Sequence, residues 1–248
     1  GTVGMVTTPL GDLNDVAQSV AIQNDGKIIA SGYSSNGNDN DFAIVRYNSD
    51  GTLDNSFGTG GVVITLIGNF NDRIQSTLIQ GDGKIIAGGY SDNGSNTDVA
   101  IVRYNTDGEL DNTFGTGGIV TTSIGFSNSV ARSMALSSDG KILAAGYSDN
   151  GEVDDFALVR YNTNGALDIT FGTDGIVTTS IGGGYNYALS TALQDDGKIV
   201  AAGYSEPNDG NLDFSIIRYN KDGSLDNTFG ANGFVTTSIA TSGGIAAS

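Results

Sequence analysis

Apolar and polar residues alternate in short runs along the whole chain, and each run is closed by a Gly, Asn or Asp-rich turn. From Ser133 the stretch SMALSS leads into the turn Asp139-Gly140, and Lys141 to Ser148 continues as KILAAGYS. A two-residue Asp-Gly connection between such runs predicts a β-hairpin, strands a and b. After a polar loop, Asp155 to Asn162 reads DFALVRYN and predicts strand c. Side chains alternate across a strand, so Phe156, Leu158 and Arg160 share one face and Ala157, Val159 and Tyr161 the other. Both faces are largely apolar, as for a sheet packed between two others. A turn at Asn164-Gly165 precedes Leu167-Asp168-Ile169-Thr170-Phe171-Gly172, and GIVTTSI from Gly175 to Ile181 predicts strand d. Leu167 and Phe171, four apart, would fall on one side of a single helical turn, with Asp168 capping freed amides and Gly172 left-handed at its end.

This unit recurs. Asp-Gly-Lys stands at Asp25, Asp82, Asp139 and Asp196, a period of 57 residues, and the Leu-to-Gly turn recurs at 53–58, 110–115 and 225–230. A fixed period of this size marks propellers, solenoids and arrays. Four strands in sequential hairpins make a β-meander blade, so the expected fold is all-β, a β-propeller of four-stranded antiparallel blades. A solenoid is the alternative, and two tight Asp-Gly hairpins per coil count against it. The expected boundaries are blade 1 at 16–68, blade 2 at 69–125, blade 3 at 126–182 and blade 4 at 183–240. Residues 1–15 read as a surplus strand d with its loop, and 241–248 as a tail or the start of a further unit.

The recurring DGKIIAGGYS and DxAIVRYNTDGELDNTFGTGGIVTT resemble the delta-60 repeat, found in tandem in many bacterial proteins and grouped with β-propellers. The resemblance covers essentially the whole chain. It implies a large secreted or surface-associated bacterial protein and says little about activity. Val99 departs from the pattern, standing where other copies have Phe42, Phe156 and Phe214.

Charge and missing residue types narrow the chemistry. A formal charge of −17 disfavours nucleic acid and anionic membrane as partners, since both demand clustered Lys and Arg. Eight of the 11 basic residues occupy repeated positions, Lys27, Lys84, Lys141 and Lys198 after the turns and Arg46, Arg103, Arg160 and Arg218 in Arg-Tyr-Asn. Absence of Cys and His removes disulfides, thiolate or imidazole metal sites and every His-assisted nucleophile. No apolar run approaches the roughly 20 residues that span a bilayer, so membrane insertion is not expected. The chain begins at Gly1 and reads as a processed or excised segment of an extracellular or cell-surface protein.

Comparison between copies locates a working surface. In a meander the b–c and d–a connections share one end of the blade, and these vary while the a–b and c–d turns do not. Loops on a rigid scaffold commonly carry binding chemistry. Phe70, Phe126, Tyr185 and Tyr187 are the aromatics of the d–a loops and suit stacking on a glycan or a surface protein, although free drift would look the same. The b–c Asp residues, Asp39, Asp41, Asp92, Asp98, Asp149, Asp154, Asp155, Asp209 and Asp213, offer oxygen ligands for calcium. Their spacing fits neither an EF-hand nor an RTX nonapeptide, and Asn, Asp and Gly also dominate ordinary turns. Arg46, Arg103, Arg160 and Arg218 could ring a channel; the preferred reading pairs each with the Asp of its own blade, Asp54, Asp111, Asp168 or Asp226.

The expected role is therefore non-enzymatic, in adhesion or ligand binding through the variable loop face. One alternative is a structural subunit. Gly1 aligns with Gly58, Gly115, Gly172 and Gly230, so the first and last nineteen residues share a register, and a terminal strand could pair with a neighbouring molecule. The other alternative, an enzyme using carboxylates and calcium, has only thin support in Glu152 and Glu206.

Overall fold

The computed structural model describes residues 4–206 and 210–238. Every named element is a strand, 16 in all, in four antiparallel sheets of four. Blade 1 holds β1 (Asp15–Ile22), β2 (Ile28–Ser35), β3 (Asn40–Tyr47) and β4 (Val62–Thr65). Blade 2 holds β5 (Asp72–Ile79), β6 (Ile85–Asp92), β7 (Thr97–Tyr104) and β8 (Ile119–Thr122). Blade 3 holds β9 (Ser129–Leu136), β10 (Ile142–Asp149), β11 (Asp154–Tyr161) and β12 (Ile176–Thr179). Blade 4 holds β13 (Asn186–Leu193), β14 (Ile199–Ser205), β15 (Asp213–Tyr219) and β16 (Phe234–Thr237). Each sheet runs in sequence order, which is the meander that the hairpin spacing predicts. Gly1–Thr122 forms one unit, with blades 1 and 2, and Ser123–Ser248 a second, with blades 3 and 4.

Each first strand carries a bulge at its fourth residue, with register shifts between Ala17 and Ser19, Ile74 and Ser76, and Ala188 and Ser190. The cause lies opposite. A Cβ on Gly32, Gly89, Gly146 or Gly203 would sit 1.9–2.0 Å from a carbonyl oxygen of the first strand, so only glycine admits that close approach.

Each unit buries one core between its two blades. In the first, Ile29, Phe42, Ile44 and Phe57 meet Ile74, Ile85, Ala100 and Tyr104. In the second, Leu143, Phe156, Leu158 and Phe171 meet Ile199, Ala201, Ile217 and Tyr219. Full burial of one such side chain is worth about 1.5–3 kcal/mol. Polar links cross the same joints. Gly58 N donates to Asp107 O at 2.8 Å and Gly172 N to Asp222 O at 2.8 Å. The Tyr104 and Thr65 hydroxyls bond at 2.8 Å, and Tyr219 donates to Thr179 at 2.9 Å.

Two local expectations change. The Leu-to-Gly segment is a hydrogen-bonded turn, not a helical one. Leu167 bridges back to Tyr161, Phe171 N bonds Asp168 O at 2.9 Å, and Gly175 N bonds Phe171 O at 2.9 Å. Pairing with strand c claims the backbone groups that a helix would have used. Gly172 does take the left-handed conformation, at φ 52°. The segment read as a surplus strand d is not one of the named strands: Met5 makes an isolated bridge, and 6–9 are irregular. Thr8 nonetheless accepts from the Tyr47 hydroxyl at 2.8 Å, the bond that a strand-d Thr makes elsewhere. Asp209 and the tail 241–248 lie outside the described residues.

Candidate functional site

Each of the four Arg residues pairs with the Asp of its own blade, and Arg46 and Arg160 also donate Nη1 to the next blade, to Thr106 O and Lys221 O at 2.5 Å. Arg46, Arg103, Arg160 and Arg218 each donate Nε to Asp54, Asp111, Asp168 and Asp226 Oδ2 at 2.7 Å. Lys27, Lys84, Lys141 and Lys198 reach the same oxygens at 2.7–2.9 Å. The second oxygen of each Asp takes the N–H and hydroxyl of the residue two ahead, as Ser56 does on Asp54 at 3.1 and 2.6 Å. Each guanidinium also lies over the turn phenylalanine, 4.4 Å from the ring centre at Phe57 and Phe171. The Ser56 bond, aided by Lys27 and Arg46, holds the Asp54 carboxyl far below its ordinary range. At Asp111 burial pushes the other way, and the Lys84 and Thr113 bonds outweigh it. These carboxylates have no free oxygen for a ligand and serve as clamps. Sequence reasoning missed the Lys partners, although their recurrence in Asp-Gly-Lys was a signal.

The acidic b–c loops are held by Asx turns. Asp92 accepts from Gly94 N at 2.8 Å and Asp149 from Gly151 N at 2.7 Å. Asn36, Asn93 and Asn150 donate to Asp41, Asp98 and Asp155 at 3.0, 3.0 and 2.8 Å. Asn36 also donates to Asp39. Asp213 opens β15 and is buried. Among the described residues no three carboxylates gather into a metal cluster.

The aromatic candidates separate. Phe70 belongs to the first unit and is half-exposed; its ring covers Gly94, where a Cβ would lie 2.5 Å from it. Phe126, 83 % exposed, opens onto a cleft of about 820 Å³ in the second unit that also takes in Asn150, Asp155 and Asp174. Tyr185 projects from its d–a loop, 47 % exposed. Tyr187 lies inside β13 and not in the loop, because the ladder already begins at Asn186.

Tyr187 is the centre of a cluster. Its ring lies 4.3 Å from Tyr147, 4.9 Å from Tyr204 in a stacked arrangement, and 6.5 Å from Tyr185. Its hydroxyl donates to the Asp154 carboxylate of blade 3. The Arg132 guanidinium lies 5.7 Å from the Tyr147 ring centre. Burial, the Asp154 bond and that carboxylate's charge push the Tyr187 phenol well above its ordinary value. Burial also raises Asp154, against the Tyr187 bond and together with Asp149 and Asp155. Other blades carry Val16, Arg73 or Val130 where blade 4 has Tyr187, so this cluster has no copy elsewhere. Every second strand supplies a Tyr, which hid the one position that differs.

No curated protein matches the chain. Among solved structures, a fucose lectin from Kordia zhangzhouensis in complex with methyl-fucoside aligns at 16 % identity and TM-score 0.35, over 65 % of this chain and 96 % of the lectin. An alpha-L-arabinofuranosidase (CtGH43) from Clostridium thermocellum aligns at 12 % identity and TM-score 0.43, over 89 % of this chain and 71 % of the enzyme. At such scores neither likeness bears on what this chain binds. The family model described as domain of unknown function (DUF5122) beta-propeller matches residues 23–57, 80–114, 137–171 and 194–229. These segments fall one per blade, each running from the a–b turn to the turn phenylalanine, and together they span more than half the sequence. The chain therefore belongs to the DUF5122 beta-propeller family.

Proposed function

We propose that this chain is a non-enzymatic extracellular or cell-surface module of delta-60 type that binds a glycan on the loop end of its second unit. The observation that carries this reading is the tyrosine cluster unique to blade 4. Three packed rings and the half-exposed Tyr185 offer an apolar platform for the C–H face of a sugar, and Asp154, bonded to the Tyr187 hydroxyl, offers a polar partner for its hydroxyls. Rigid tyrosines gain contact at small entropic cost. The clamp carboxylates are saturated, which leaves hydrolysis without an obvious acid and base pair.

A glycan array probed with the full chain is the test. Tyr185→Ala should weaken any hit at least tenfold without altering the thermal midpoint, while Phe70→Ala, in the other unit, should leave it unchanged. An array hit indifferent to Tyr185→Ala would defeat the assignment.

A second reading, self-association, draws on β1, where Val20 and Ile22 are 68 % and 71 % exposed while their counterparts in blade 2 are buried at Thr77 and partly buried at Ile79. Light scattering across concentration tests it, and a mass that stays monomeric and is unaltered by Val20→Glu would reject it.

A further inference from the structure

Among the buried positions at which the two units differ, one changes charge. Asn186 opens β13 in the second unit with no exposed surface. Its Oδ1 accepts from Ile181 N at 3.3 Å, and its Nδ2 donates to Gly184 O at 2.7 Å, Asp154 O at 3.3 Å and, weakly, Asp155 Oδ1 at 3.5 Å. An amide thus puts a positive hydrogen-bonding edge against a carboxylate and a carbonyl of the preceding blade.

In the first unit the same register position is Asp72, opening β5 and also without exposed surface. Its Oδ2 repeats the part of the Asn186 oxygen, accepting from Ile67 N at 3.0 Å and Gly68 N at 3.4 Å. Its Oδ1 therefore stands where the amide nitrogen stands in the second unit. That oxygen is buried and accepts no hydrogen bond. The residues corresponding to Asp155 and Asp154 are Asp41, 4 % exposed, and Asn40. The two blades meet here, since Asn40 donates its N and Nδ2 to Asn71 Oδ1 at 3.2 and 2.7 Å.

The charge and donor count are then unbalanced. By the register with Asn186, the Asp41 carboxylate and the Asn40 carbonyl face Asp72, whose carboxyl feels the Asp41 charge; Asp39 adds a further negative charge beside Asp41, and Arg73 is turned onto the Tyr33 ring at 4.4 Å. Neither Asp41 nor Asp72 has an ion pair among the described residues. Buried charges need a partner, and oxygen ligands of this type suit a hard cation. Burial raises the Asp72 carboxyl above its ordinary value, against the bonds from Ser91, Ile67 N and Gly68 N, and burial raises Asp41 as well, a cost that a bound cation would relieve.

We propose that Asp72, Asp41 and the Asn40 carbonyl form a binding site for a hard divalent cation, calcium by ligand type, at the blade 1–blade 2 joint. Asn186 is the built-in substitute for that cation in the second unit. The inference stands apart from the glycan reading and can fail or succeed without it.

Calorimetric titration of the chelator-treated full chain with calcium chloride tests the site, together with thermal unfolding at each calcium level. Wild type should bind one equivalent that Asp72→Asn lacks, and calcium should raise the midpoint of wild type but not of that variant. Asp72→Asn carries the residue that blade 4 already uses, so it should fold. Asn186→Asp should gain an equivalent. Equal calcium binding by wild type and Asp72→Asn would overturn the proposal and leave only adventitious surface binding. So would a wild type indifferent to calcium whose midpoint rises from neutral to mildly acid pH while that of Asp72→Asn does not, the mark of a shared proton.

Discussion

Gly115 and Gly117 stand two residues apart in the turn after Phe114, and both have left-handed backbones, at φ 52° and 61°. What surrounds them differs. A Cβ on Gly117 would have nothing closer than Asn112 Oδ1 at 3.9 Å, and the corresponding positions in blades 3 and 4 are already Asp174 and Asn232, at φ 52° and 56°. A Cβ on Gly115 would lie 2.3 Å from Ile119 O and 2.4 Å from Val120 Cγ2. To restore ordinary contact Ile119 would have to retreat by roughly 1 Å, although its carbonyl accepts from Thr116 N at 2.9 Å and the residue opens β8. The left-handed conformation costs a non-glycine residue about 1–2 kcal/mol, partly offset by about 0.4–1 kcal/mol from a stiffer unfolded chain. Gly117→Asn should therefore cost under about 1 kcal/mol. Gly115→Ala adds overpacking of about 1–3 kcal/mol and a weakened hydrogen bond of about 1 kcal/mol, for a total near 3–5 kcal/mol. Urea unfolding followed by far-ultraviolet circular dichroism and tyrosine fluorescence measures both, since the chain has no Trp. A gap of less than about 1 kcal/mol between the two variants would refute the steric argument.

Three further outcomes are expected. The clamp carboxylates Asp54, Asp111 and Asp168 have folded-state pKa values below the unfolded value of about 3.9, so their stabilisation is complete above that pH and is lost as acid titrates them; midpoints should hold between about pH 7 and 5 and fall below about pH 4, and a flat profile to pH 2 would contradict it. Tyr104→Phe should cost about 1–2 kcal/mol by stranding the buried Thr65 hydroxyl, and adding Thr65→Val should recover part of the loss; additive losses in the double-mutant cycle would show that the bond contributes nothing. Phe171→Ala should cost about 3–5 kcal/mol, because a fully buried ring and its Arg160 contact go together, and a loss below about 1 kcal/mol would place that turn outside the core.

The blades were legible in the sequence because each strand is bounded by a turn whose chemistry is local. Asp-Gly and Asn-Gly steps mark the hairpins, and the two-residue alternation assigns Phe156 and Leu158 to one face without reference to any other blade. What stayed hidden depends on neighbours. The Leu167 to Gly172 segment has helical spacing, but pairing of Leu167 with Tyr161 decides its backbone, and that bridge is a tertiary fact. Tyr187 reads as a loop residue from the letters alone, because its ladder partner Tyr204 is seventeen residues away and its contact with Tyr147 crosses to another blade. The difference between Asp72 and Asn186 is plain in the letters, yet it acquires meaning only when both are seen to be fully buried and to reach the preceding blade.

The amide of Gly58 in blade 1 is closed by the carbonyl of Asp107 in blade 2, and Gly172 depends in the same way on Asp222. Each of these c–d turns thus works for the blade before it, and damage there is felt upstream. A protease cut beside Asp107 would loosen the end of strand β4 as well as its own hairpin, and the exchange rate of the Gly58 proton would report the health of a blade to which Gly58 does not belong. Within each pair, blades are owed to their successors, so a lesion in one copy of the repeat is inherited by two.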